Sequence, residues 1–447
     1  MAKAKHKEEL QLWQMAPPVD FSPRISNQSE AQALLISARQ GAGFPVVGGQ
    51  LGHAIRSRAA QILMDFSAAS CGIRYQIDGN WEQLPPLDRE TGDAMLYALK
   101  QLCQMNPADR RSPQAGKVGL KRAKEKYELQ VQSQGVKTGE RVLARVIPEK
   151  SPFATLADLG MRDKMIATLK SHLNQEGNVI LVSAPKGQGL TTTWDVTLNA
   201  ADRFIRDFQA IEPQAAPEPE IININPNFFG GDTGLTETVL LSKVVMKEPD
   251  VLIFPNLPEP DSMEIATSQI TKLDKQVITR IVADSAMEAL VQLLAKYKDS
   301  APVIASQIGC VLNQRLVRRL CEDCKEGFEP PPKLLQQLGI PPGRVPLLYK
   351  RFVPPPPEQQ VDEKGRPAPI PPCATCEARG YYGRAAVFEL LCPGDKLKAA
   401  LTKTRDVGKL TAIAKAEGFR NLKAEAVLTV ARGITSLEEL KRLFAAK

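Results

Sequence analysis

Apolar and polar positions change rhythm along this chain, and the rhythm sets the expected elements. Residues 71–80, CGIRYQIDGN, alternate apolar and polar side chains and end in Asp-Gly-Asn, the pattern of a strand entering a hairpin turn. YELQVQSQ (127–134) and RVLARVI (141–147) alternate again with Gly135 and Gly139 between them, which predicts a second hairpin. Residues 92–106 carry helical spacing. From Ser29 to about Phe66, Ala/Leu-rich stretches flank GAGFPVVGG (41–49), so two helices joined by a glycine-rich loop are expected. Residues 1–30 are polar, broken by Pro17, Pro18 and Pro23, and read as a flexible arm. Residues 31–150 then make a small N-terminal α+β domain.

Beyond Pro152 the pattern becomes that of alternating strands and helices. Helices are expected within 153–176, then a buried strand NVILVSA (178–184), a Gly/Thr loop and a helix (185–209). After PQAAPEPE (213–220) come IININ (221–225), a helix over 235–247, strand VLIF (251–254), a helix over 260–271, strand QVITRIV (276–282) and a helix over 285–296. This alternation predicts an α/β fold over 151–320, a mostly parallel sheet with helices on both faces. Residues 321–384 are rich in Cys and Pro and lack periodicity, so an inserted element held by something other than a core is expected. Residues 385–447 are helical again, with a capping box at Thr435/Glu438 or Ser436/Glu439 before the last helix.

Composition narrows the classes. The 447 residues suggest roughly three domains, and 43% hydrophobic with 24% charged residues excludes a wholly disordered chain. No apolar run approaches the ~18 residues of a membrane span, and MAKAKHKEEL leads into no apolar stretch, so neither a transmembrane helix nor a signal peptide is expected. The net charge of +8 permits an acidic partner and demands none. Histidine chemistry has only His6, His53 and His172 to draw on.

Residues 178–199, NVILVSAPKGQGLTTTWDVTLN, place a strand, a Gly-containing turn and a helix opening with threonines in the order of a phosphate-binding loop. Such a turn aims backbone N–H groups inward, and the helix N-terminus adds positive partial charge, so anions bind there. The candidate nucleotide-binding residues are Lys186, Gly187, Gln188, Gly189, Leu190, Thr191 and Thr192, with Thr191 where a hydroxyl would ligate Mg²⁺. Two positions depart from the pattern: Ala184 replaces the first glycine, and Leu190 stands in the place of the lysine. Lys186, four residues earlier, approaches from another direction. On these residues alone, a strand–turn–helix that binds nothing stands beside the phosphate reading.

Cys321-x-x-Cys324 and Cys373-x-x-Cys376, separated by 48 residues, supply the four thiolates of a structural Zn²⁺ site. The gap is filled by Pro-rich loop, which tolerates length. The alternatives are four unrelated thiols or a redox dithiol. Cys71, Cys103, Cys310 and Cys392 read as ordinary buried residues.

The motifs come in a distinctive order: IRYQIDG (73–79), SPQAGKVGL (112–120), GERVLARV (139–146), APKGQGLTTT (184–193), EPDVLIF (248–254), GCVLNQRLVRRLCEDC (309–324), CATCEARGYYGRAAVFELL (373–391) and GFRNLKAEAVLTVARGITSLEEL (418–440). Over about residues 55–440 the chain resembles the type II secretion and type IV pilus assembly ATPase family (general secretion pathway protein E). The resemblance implies a RecA-like core carrying a tetracysteine zinc element, with ATP and Mg²⁺ between subunits. It implies a homo- or hetero-hexamer of motor subunits, cytoplasmic or peripheral at the inner membrane, docked on an inner-membrane platform protein.

Against that family's pattern the chemistry is depleted. The stretch IEPQAAPEPE (211–220) keeps only Glu212 of an acidic box. Asn256 stands where the family has the glutamate after VLIF, with Pro258-Glu259 following, and Lys275 and Val282 stand in histidine places. A pseudo-ATPase is therefore expected. Two alternatives accompany it: an active motor using Lys186 and Glu259 as substitutes, and a nucleic-acid binder using a QRLVRR helix (314–319) with Arg315, Arg318 and Arg319. Modest charge and few stacking aromatics argue against the last, and no nucleic-acid partner is expected.

Overall fold

The computed structural model describes residues 11–360 and 366–445. It divides into two compact units, Met1–Pro152 and Phe153–Lys447.

The first unit contains β1 (Asp20–Pro23), α1 (Gln28–Arg39), α2 (Gly43–Arg56), β2 (Ala59–Phe66), β3 (Ser70–Ile77), β4 (Asn80–Gln83), β5 (Leu87–Asp88), α3 (Arg89–Leu102), β6 (Gln114–Arg122), β7 (Glu125–Val136) and β8 (Gly139–Pro148). An antiparallel sheet runs β1-β6-β7-β8-β2-β3-β4, with β5 also on β3. Alternate residues such as Ile62, Met64, Ile73, Tyr75, Val131 and Val142 face the helices, which is the period-2 pattern read in the sequence.

Two expectations are corrected here. The arm does not extend to residue 30: Phe21 is buried, and β1 pairs with β6 through Phe21 and Leu120, because the short alternating segment DFSP supplies an edge strand. Residues 1–10 of that arm lie outside the described residues. The glycine-rich stretch 41–49 is not a loop: from Gly43 on it is the first half of α2. A Cβ on Gly43 would stand 1.8 Å from the carbonyl oxygen of Ala94, so small residues let α2 lie against the backbone of α3. Tight helix packing, not chain reversal, is what these glycines serve.

The second unit contains α4 (Asp163–Leu173), β9 (Val179–Ala184), α5 (Leu190–Asn199), β10 (Phe208–Pro213), β11 (Ile224–Phe229), α6 (Glu237–Val245), β12 (Val251–Phe254), α7 (Pro260–Leu273), β13 (Gln276–Val282), α8 (Ala286–Lys296), α9 (Ala301–Gln307) and β14 (Ile308–Leu320). Then come β15 (Glu326–Phe328), α10 (Pro332–Leu338), β16 (Leu348–Lys350), β17 (Tyr381–Leu391), α11 (Asp395–Leu401), α12 (Val407–Ala416), α13 (Leu422–Ala431) and α14 (Leu437–Phe444).

The main sheet is ordered β11-β10-β12-β13-β9-β14-β17, parallel throughout except for the β14–β17 pair. Its central strands β9 and β12 are continuous buried runs, VILVSA and VLIF, as strands covered on both faces require. Ile180, Val182, Ile253 and Ile278 pack with Leu169 of α4 and with Trp194 and Leu198 of α5. Val179, Leu181, Leu252 and Val277 face the other way, onto α6 to α9, α11 and α12.

The expected QRLVRR helix is instead the second half of β14, paired with β17 from Val311–Leu391 to Leu320–Tyr381. Likewise residues 385–391, expected to be helical, complete β17. Ser436 caps α14 by accepting from the Glu439 N–H, the second of the two capping alternatives.

Candidate functional site

Two features lie at the C-terminal edge of the parallel strands, where open α/β sheets bind ligands, and a third lies apart from them. The first is the loop between β9 and α5. Lys186 and Gly187 form an exposed turn, Thr191 is exposed and Thr192 half-buried on the first turn of α5. Lys186 forms no ion pair among the described residues.

The loop is clamped from the side by β14. Gln314 Nε2 donates to the Gln188 carbonyl at 2.6 Å, and its Oε1 accepts from the Thr193 hydroxyl. In return, Gln188 Oε1 accepts from the Leu316 N–H at 2.9 Å. Strand β9 stops pairing with β14 at Ser183–Asn313, so the Gln188 side chain satisfies a ladder N–H that the strand no longer reaches. Gly189 has φ +84°, and a Cβ there would lie 2.8 Å from Gln314 Nε2. The left-handed backbone calls for glycine here, and any side chain would also push the Gln314 amide.

The second feature is Arg280 on β13, opposite Val182 of β9. Its Nε donates to the Pro255 carbonyl at 2.6 Å, and its two terminal nitrogens reach both oxygens of Glu218 at 3.0 and 2.5 Å. The guanidinium lies 5.2 Å from the Trp194 ring centre. Glu212, buried at the end of β10, accepts from the Glu218 N–H at 2.9 Å. Burial raises Glu212 above the ordinary carboxylate range. Asp195 on α5 is pushed up to about 6 by burial and by Glu218, with Arg280 opposing. A cavity of about 200 Å³ lies along this edge, walled by Trp194, Leu198, Ile224 and Phe228 with Asp195, Glu212 and Glu218.

The remaining sequence candidates are scattered. Asn256 is exposed after β12. Val282 pairs with Ala184 beside the loop and is 55% exposed, so an apolar side chain occupies that place. Lys275 sits at the far end of β13, bonded to the Glu248 carbonyl at 3.1 Å. Glu259 precedes α7, which packs on the sheet face opposite α5. Its N–H donates to Glu237, and its charge acts on Tyr297. Among the described residues no ion pair or hydrogen bond joins Glu259 to Lys186. Arg318 is held by Glu439 through its Nε (2.9 Å), a terminal nitrogen (2.7 Å) and its backbone N–H (3.1 Å), and Arg315 pairs with Asp284.

The third feature lies past the far end of β14. Cys321 and Cys373 Sγ are 3.9 Å apart, Cys324 and Cys376 3.6 Å, and all four sulfurs lie within 4.8 Å of one another. A tetrahedron with Zn–S bonds of about 2.3 Å has sulfurs roughly 3.8 Å apart, so the donors fit a zinc ion. The N–H groups of Cys376 and Thr375 bring Cys373 down to about 7, and the Gly380 N–H donates to Cys376 Sγ at 3.2 Å. Burial raises Cys321 and Cys324, a cost that a cation would reverse. Of the other cysteines, Cys71, Cys103 and Cys310 are buried as expected, whereas Cys392 is exposed just past the end of β17.

Residues 41–442 match the model of a family described as Type II/IV secretion system protein. The chain belongs to that family. Among secretion-family relatives, Type IV pilus assembly ATPase PilB of Thermus thermophilus is 26% identical over 370 residues, covering 82% of this chain and 39% of that one. Type II secretion system protein E of Pseudomonas aeruginosa is 24% identical over 393 residues, covering 88% and 74%. The crystal structure of the ATPase DotB from Legionella pneumophila superposes with a TM-score of 0.57 at 12% identity, covering 89% of this chain and 94% of that one. The last comparison speaks to the α/β fold alone. The chain thus spans well under half of the first relative's length. No helix among the described residues is long and apolar enough to cross a membrane.

Sequence reasoning on this secretion-family chain passed over Gln314, Arg280, Glu218 and Asp195. One signal was available: an arginine inside the apolar run VITRIV is a charge in a buried strand, which demands a partner. Nothing in the sequence names that partner, because Glu218 lies 62 residues away.

Proposed function

We propose that this chain is a pseudo-ATPase subunit of a type II secretion or type IV pilus-like machine. It retains a RecA-like phosphate-loop core and a structural zinc ion on Cys321, Cys324, Cys373 and Cys376, and it has given up hydrolysis. In this reading it joins a homo- or hetero-hexamer of motor subunits at the cytoplasmic side of the inner membrane and docks on the platform protein there. The loop backbone with Thr191 and Thr192 still offers weak binding to a nucleotide phosphate, without a lysine.

The observation that carries the reading is the arginine-filled floor. Where phosphoryl transfer needs a carboxylate beside the loop, Arg280 ties up Glu218 and the Pro255 carbonyl, and the next residue is the amide Asn256. Losing one preorganised charged group from a transfer site costs roughly 3–4 kcal/mol, two to three orders of magnitude in rate. Losing both the lysine and the general-base carboxylate leaves hydrolysis near background. Purified, zinc-loaded protein is expected to release no phosphate from ATP above the uncatalysed rate. Turnover at a rate normal for a secretion motor, abolished by Thr191→Ala, would overturn the proposal.

A further inference from the structure

We infer that Arg280 is the resident cation of this site, so that the loop takes phosphate groups without Mg²⁺. This rests on reading the edge as a nucleotide site, and it goes further by assigning the charge state of the ligand. Mg²⁺ requires near-octahedral oxygen ligands at about 2.0–2.1 Å and binds through one or two carboxylates plus substrate phosphates and waters. The carboxylates at this edge are Asp195, Glu212 and Glu218. Both oxygens of Glu218 are engaged by the Arg280 fork, and one oxygen of Glu212 is engaged by the Glu218 N–H. The third guanidinium donor is fixed on the Pro255 carbonyl, and the plane rests near Trp194. Four segments of the edge, from β13, β12, α5 and the chain after β10, thus converge on one guanidinium.

A planar fork of this kind is geometrically selective, and unlike a lysine it cannot shed its charge. A divalent ion entering here would meet a fixed positive charge lying between it and the carboxylate it needs. Burial raises Asp195 and Glu212, and the Arg280 charge opposes the rise at both. Arg280 thus occupies, with both terminal nitrogens, the Glu218 carboxylate that a divalent ion would otherwise use.

The test uses the full, zinc-loaded chain and Mn²⁺ as probe, read by electron paramagnetic resonance. Wild type is expected to take up no Mn²⁺ at about 1 mM, and Arg280→Thr is expected to bind it at least about tenfold more tightly, with Glu212→Gln in the same background removing it. Uptake of one Mn²⁺ by wild type that Glu212→Gln or Glu218→Gln abolishes would overturn the inference. So would an Arg280→Thr protein, folded by circular dichroism, that takes up none. The wild-type measurement decides the matter even if Arg280→Thr does not fold. In calorimetry, Mg²⁺ is expected to change ATP affinity by less than about twofold, and a tightening of about tenfold would also overturn it. If ATP does not bind at all, the nucleotide part of the proposed function fails while the Mn²⁺ comparison still decides the role of Arg280.

Discussion

Replacing Gln314 by alanine tests whether the loop is held by β14 or stands by itself. The Gln314 side chain is 2% exposed and the Thr193 side chain it meets 1%, so neither group has water as a ready substitute. The substitution removes the 2.6 Å bond to the Gln188 carbonyl and the bond from the Thr193 hydroxyl. Each neutral bond contributes about 0.5–1.5 kcal/mol net, and the stranded Thr193 hydroxyl adds a desolvation cost of about 1–3 kcal/mol. The Gln188 carbonyl lies on a half-buried loop that water can reach, which trims the sum. The expected loss of local stability is about 2–3 kcal/mol, equivalent to amide exchange faster by about 30- to 150-fold across residues 188–193. Hydrogen–deuterium exchange with peptide resolution measures this directly, and β12 serves as an internal control. Gln188→Ala should open the same segment, and the two substitutions should be less than additive because they share partners. Exchange within about twofold of wild type would refute the clamp.

Further outcomes follow from the same geometry. Metal analysis is expected to find one zinc ion per chain, and Cys376→Ser, which loses a buried ligand, should abolish it and lower the melting temperature. Glu389 accepts from the Ala286 and Leu422 N–H groups, both at 2.6 Å, and so caps α8 and α13 together; Glu389→Ala should destabilise the second unit by about 3 kcal/mol or more in urea titration. Asp195 has its folded-state pKa raised to about 6, so the native state binds more protons than the unfolded one between about pH 4 and 6. Stability attributable to Asp195 should therefore rise as the pH falls through that window, and Asp195→Asn should remove this slope. At pH 7.5 Asp195→Asn should stabilise by about 1 kcal/mol, after allowance for partial solvent contact.

The strands β9, β12 and β13 were legible because apolar runs four to seven residues long, bounded by helices, have few other readings. Strand β14 was not. Asn313 and Gln314 are both buried, on opposite faces, and they break the alternation that marks a strand. The arginines that follow face Glu439 and Asp284, partners fixed only by the fold. The same holds for α2, whose glycines mimic a loop until the neighbouring backbone is known. The gathering of the four cysteines was legible because two C-x-x-C pairs each bring two sulfurs to one turn. Leu190 and Asn256 were visible in the sequence as departures from the pattern, whereas the setting of Arg280 required the register of β13 against β9 to be seen.

The pairing of Leu320 with Tyr381 has a practical corollary. The chain leaves β14 and re-enters β17 at one point, with the thiol knot closing the gap there. Closing a longer excursion costs little extra, since the entropy grows only with the logarithm of its length. The proline-rich stretch between the two knuckles is therefore a natural graft point. A reporter or a whole extra module spliced there has to fall beyond Arg351, because Phe328 and Leu348 of this excursion pack with Leu422, Ala426 and Val430 of α13, and Arg351 pairs with Glu438 of α14.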